Sequence, residues 1–80
     1  MFINIEQHEY RKARLRVAGS SLSAIARELG LSHTSVTIVS QGYRRSARIE
    51  AAIAKALGEK PSVTFPDRHQ SAQGGGDALI

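Results

Sequence analysis

The chain has 80 residues, with 11 Lys plus Arg, 7 Asp plus Glu, 3 His, no Cys and a formal net charge of +4. A chain this short buries one core and not two, and without cysteine it has no disulfide framework, no thiolate zinc site and no cysteine nucleophile. Its apolar runs, such as Val36 to Val39 with Thr37 inside, are too short for a membrane span or a secretory signal, and so small a scaffold leaves little room for a catalytic cleft. The expectation is a small intracellular binding module.

The first helix is predicted over about residues 5–18, with Asn4 as N-cap, Glu6 in the first turn and Gly19 as the stop. Its apolar residues Tyr10, Ala13, Leu15, Val17 and Ala18 make no clean stripe. The second, over 22–29, is the clearest: Ser21 caps, Leu22, Ile25, Ala26 and Leu29 recur at i, i+3, i+4 and i+7, and Gly30 ends it. Residues 33–41 conflict. Val36 to Val39 is β-branched throughout and reads locally as strand. A single short strand in a helical chain has nothing to pair with, whereas Ser32 caps well, Leu31, Val36 and Val39 share a face and Gly42 stops, so helix is predicted. A fourth helix follows Ser46 over about 47–57, with Ile49, Ile53, Ala56 and Leu57 as its buried stripe. Pro61 opens a last turn over 62–65, closed by Pro66. This makes an all-α domain over 1–66, and the Gly-rich composition of 67–80 predicts a disordered tail.

Charge is distributed unevenly. Residues 10–48 hold eight Lys and Arg against one acid, Glu28, while the rest of the chain is slightly acidic. A folded basic block suits a polyanionic partner, and phosphate attraction needs only clustered Lys and Arg. Within that block, Leu22 to Gln41 fits a helix-turn-helix. Ala26 is small where the second helix must approach, Gly30 stands where the turn needs a left-handed backbone, and Ile25, Leu29, Leu31, Val36 and Val39 are the apolar positions that lock the crossing. An ordinary helical hairpin shares the apolar spacing but does not require Ala26 and Gly30 together.

A helix-turn-helix puts its second helix in the major groove. The residues predicted to read bases are then Ser32, His33, Thr34, Thr37 and Gln41: Gln41 pairs with adenine, Thr34 and Thr37 meet either base type or a thymine methyl, and His33 donates to guanine. None is Lys or Arg, so phosphate contacts must supply much of the affinity. The predicted set is Ser21 at a helix start, Arg27, and Tyr43, Arg44, Arg45 and Arg48 just past the recognition helix. Half of the Arg11, Lys12, Arg14 and Arg16 cluster on the first helix reads as plain solubility.

The runs Gly19 to Ala26, Leu29 to Val36, Arg48 to Gly58, and Pro61 with Phe65 to Arg68 together resemble the Ner family of phage regulators and their bacterial Ner-like relatives, over about residues 14–68. The resemblance implies a lambda-repressor-like bundle of four to five short helices that binds operator DNA and represses early phage transcription or regulates host promoters. The family usually carries Trp where Ser20 and Phe65 stand, and a more basic recognition helix where His33 and Thr37 stand.

Other functions find less in the sequence. His8, His33 and His69 lack metal-ligand spacing, and Ser20, Ser21, Ser23 and Ser35 read as caps and polar surface, so no enzyme, metal or cofactor is predicted. A protein-interaction or adaptor module of repressor-like fold would share the core but show exposed aromatic or large apolar residues on its contact face. An architectural or recombination role on DNA is the other alternative. The predicted partner is a double-stranded DNA operator, bound by a cytoplasmic, nucleoid-associated protein that is monomeric in solution and pairs on a two-fold site.

Overall fold

The computed structural model describes residues 3–66 and Arg68, and the Gly-rich tail otherwise lies outside them. Five helices follow in order: α1 (Ile5–Val17), α2 (Leu22–Leu29), α3 (His33–Gln41), α4 (Ala47–Ala56) and α5 (Pro61–Thr64). Among the described residues there is no strand. Side-chain oxygens of Asn4, Ser21, Ser32 and Ser46 accept the backbone N–H three residues on, so four helix starts are capped as their sequences predict. Gly30 and Gly42 end α2 and α3 at φ 72° and 101°, a backbone region open to glycine at little cost.

The β-branched run 36–39 is helical because both ends are capped and its apolar side has a core to enter. Val36 and Val39 are fully buried with Leu15, Ile25, Ile53 and Phe65, and Leu22, Ala26 and Ile49 complete the cluster. Burial of each large member contributes roughly 1.5–3 kcal/mol, more than the few tenths lost to helix propensity at a β-branched position. α3 packs most extensively on α2 and also meets α1 and α4, so it lies at the centre of the domain.

Two details differ from the sequence reading. In α4 the buried side is Ile49, Glu50, Ile53 and Ala54, while Ala56 and Leu57 are only half-buried. In α1, only Leu15 of the five apolar residues named from the sequence faces inward, together with the polar His8 and Arg11, whereas Tyr10, Ala13, Val17 and Ala18 are exposed.

The inward polar residues meet at Ser40, near the end of α3. His8 Nδ1 lies 2.8 Å from Ser40 Oγ, Arg11 Nε donates to the same oxygen at 3.4 Å, and Arg11 Nη2 donates to the Ser40 carbonyl. Arg68 Nη2 reaches that carbonyl at 3.2 Å from beyond α5, and its Nη1 lies 3.5 Å from Glu50 Oε2. Both guanidiniums stack on Phe65, each 4.3 Å from the ring centroid. The composition shift puts the domain boundary before Asp67, yet Arg68 is buried, because a planar guanidinium satisfies a carbonyl, a carboxylate and a ring face together.

Candidate nucleic-acid interface

The helix-turn-helix geometry is built from α2, Gly30 and α3. Ala26 is buried where the helices meet, and its carbonyl accepts the N–H of Leu31 at 2.9 Å, closing the turn. Arg48 Nη2 donates to the Leu29 carbonyl at 3.0 Å, so α4 holds the end of α2.

Along α3, Thr34, Thr37 and Gln41 recur at i, i+3 and i+7 and share one side. Thr34 is exposed, and Thr37 and Gln41 are half-buried. His33 is exposed at the helix start with Nε2 3.4 Å from Thr37 Oγ1, so the pair presents one continuous polar edge. Ser32 sits at the same end, but its hydroxyl is occupied: Oγ accepts from the Ser35 N–H at 3.1 Å and lies 2.9 Å from Ser35 Oγ.

The predicted phosphate residues divide into two kinds. Arg27 and Arg44 are exposed and their side chains make no hydrogen bond or ion pair among the described residues, and Tyr43 is 52% exposed beside Arg44. Arg45 and Arg48 are exposed as well, but Arg45 Nε donates to Glu50 Oε2 at 3.0 Å and Arg48 to Leu29, so both also brace the fold. Ser21 stands at the start of α2 with its oxygen accepting from Ala24.

The basic cluster of α1 separates by helical phase. Arg11 is buried, and Arg14 pairs with Glu59 through two hydrogen bonds of 3.1 and 2.7 Å. Lys12 and Arg16, four residues apart on one face, line a hollow of about 210 Å³ with Ser20, Ser21, Leu22, Ser23 and His33. The hollow joins two cations, the N–H-rich start of α2 and the first residue of α3, an arrangement suited to a phosphate group. The i, i+4 spacing of Lys12 and Arg16 carried that signal, which is lost when the cluster is read as one block.

No helix among the described residues is long and apolar enough to cross a membrane. No curated protein and no solved structure matches the chain. A family model described as winged helix-turn-helix DNA-binding matches residues 6–76. No wing is seen among the described residues, where α3 leads through Gly42 to Arg45 into α4 rather than into a hairpin. With nearly the whole chain covered, and α2, the Gly30 turn and α3 arranged as above, this all-α protein belongs to the winged helix-turn-helix DNA-binding family.

Proposed function

We propose that the protein is a sequence-specific transcriptional regulator that sets α3 in the major groove of an operator. One observation carries the reading: the polar edge His33, Thr34, Thr37 and Gln41 runs along α3 from the Lys12–Arg16 hollow towards the Arg44 loop. Base contacts come from that edge as neutral hydrogen bonds, each worth about 1–3 kcal/mol of discrimination. Phosphate contacts flank it, from the hollow at the start of α2 on one side and from Tyr43 and Arg44 on the other, with Arg27, Arg45 and Arg48 adding charge. Ser32 acts through its cap, which fixes the start of α3. The resemblance over residues 14–68 supports a phage- or prophage-type repressor of the Ner kind, acting in the cytoplasm as a binding protein without catalysis. A single short helix reads few base pairs, so two copies on a two-fold site are the expected bound form.

A second reading, a protein-interaction module, is favoured by the exposed Tyr10, Ala13 and Val17 on α1. Selection of bound duplexes from a random pool separates the two. The expected result is an enriched, roughly two-fold-symmetric site that is lost with Thr34→Ala and Gln41→Ala while non-specific binding persists. Arg44→Ala should weaken binding to all sequences and lower the salt slope by about one. Unchanged enrichment with the Thr and Gln substitutions would remove α3 from base readout. Binding without enrichment would point to an architectural role, and no binding at low salt to the protein-interaction module.

A further inference from the structure

We infer that His8, Arg11, Ser40 and Arg68 form a positioning clamp that sets α3 on DNA, closed while His8 is uncharged and opened when it takes up a proton. The inference rests on α3 being the DNA-reading helix. Ser40 lies three residues after Thr37 and next to Gln41, whose carbonyl accepts the Asn4 N–H at 2.9 Å. Whatever holds Ser40 therefore sets the height of the reading edge, and recognition sites tolerate only about 0.5 Å of misplacement.

Hydrogen placement gives the clamp its condition. Of the two groups within hydrogen-bond distance of Ser40 Oγ, Arg11 Nε–H can only donate, so the acceptor for the serine hydroxyl hydrogen is His8 Nδ1. In that arrangement the neutral imidazole carries its hydrogen on Nε2, the nitrogen 4.0 Å from Glu9 Oε2. A proton on Nδ1 would turn that acceptor into a second donor aimed at the same oxygen and place a cation beside Arg11. The charged groups around His8 are Glu9, Arg11 and Lys12 from α1. α3 offers only the uncharged Ser40, and Arg68 and Glu50 stand behind that residue. Burial foremost, then the charge of Lys12, holds His8 below the ordinary imidazole value of 6.5; Arg11 adds to the fall and Glu9 opposes it. A base so lowered favours the folded state above 6.5, and that contribution declines as pH falls through 6.5 towards the folded value.

The test uses the full chain in two arms. In the free protein, NMR titration from about pH 8 to about pH 5 should show the backbone amides of residues 38–42 following the His8 imidazole with one shared midpoint below 6.5. On DNA, the ratio of affinity for the selected duplex to that for an unselected one should fall about tenfold further over the same range in the parent than in His8→Gln. Glutamine keeps an acceptor without titrating, and His33 is present in both proteins. Amides that ignore His8, an equal fall in His8→Gln, no fall in the parent, or loss of helical circular dichroism over this range would each overturn the clamp. Failure of the underlying reading looks different: the amides follow His8, yet Thr34→Ala and Gln41→Ala leave duplex preference intact, and the clamp then serves no DNA contact.

Discussion

The α2–α3 hairpin and the packing of α1 on α3 are held by different forces. Between α2 and α3 the contact is apolar: Leu22, Ile25, Ala26, Val36 and Val39 are buried and joined to Ile53 and Phe65. From α1 only Leu15 is apolar and buried against that cluster, and the rest of its contact with α3 is His8 and Arg11 on Ser40, with Arg68 added from the far end of the domain. Apolar burial is non-directional and tolerates repacking, whereas a buried charged cluster specifies geometry and fails when one member is removed. α3 is thus attached loosely in kind along its length and strictly at its C-terminal end.

The largest effect on stability is expected from removing Glu50. It is 1% exposed and paired with Arg68 and Arg45, so Glu50→Ala leaves buried positive charge and should cost about 3–5 kcal/mol, read as a large fall in thermal midpoint. In the apolar region Ile53→Val, at an equally buried site in the same helix, should cost only about 0.5–1.5 kcal/mol. Equal losses would mean that the polar cluster specifies no more than the core does.

The smallest effect is expected at the rim, where Arg14 and Glu59 pair with side chains 35% and 18% exposed. Solvent screening limits Arg14→Ala to about 0–1 kcal/mol. The hydrogen bond from Arg14, helped by one from Thr64 and opposed by burial, holds Glu59 below the ordinary carboxylate value of 4.5. A carboxylate so lowered contributes stability above 4.5 that is lost as pH falls through the folded value. Acid denaturation of the parent and of Arg14→Ala should therefore converge at low pH, and a constant gap would contradict the assignment.

These forces also explain what could be read in the sequence. α2, the Gly30 turn and α3 are legible because apolar spacing and caps are local: Leu22 to Leu29 states its own period, and Ser32 and Gly42 bracket a run that propensity alone makes a strand. The polar cluster is not, because its members lie far apart: 29 residues separate Arg11 from Ser40 and 28 separate Ser40 from Arg68. No window contains both ends, so Arg11 reads as surface charge and Arg68 as part of a tail. The exposed edge of α3 was legible as residue types at helical spacing, whereas the half-burial of Thr37 and Gln41 and the bracing roles of Arg45 and Arg48 depend on neighbours that only the fold brings close.

On the proposed reading, α3 and the start of α2 meet DNA while the apolar side of α1 does not. Titrating the labelled protein with the selected duplex, and mapping which backbone amides shift, tests it most directly. The largest shifts are expected at residues 21–23, 33–37 and 41–45, with Tyr10, Ala13 and Val17 unmoved. Shifts centred on Tyr10, Ala13 and Val17, with α3 silent, would contradict it.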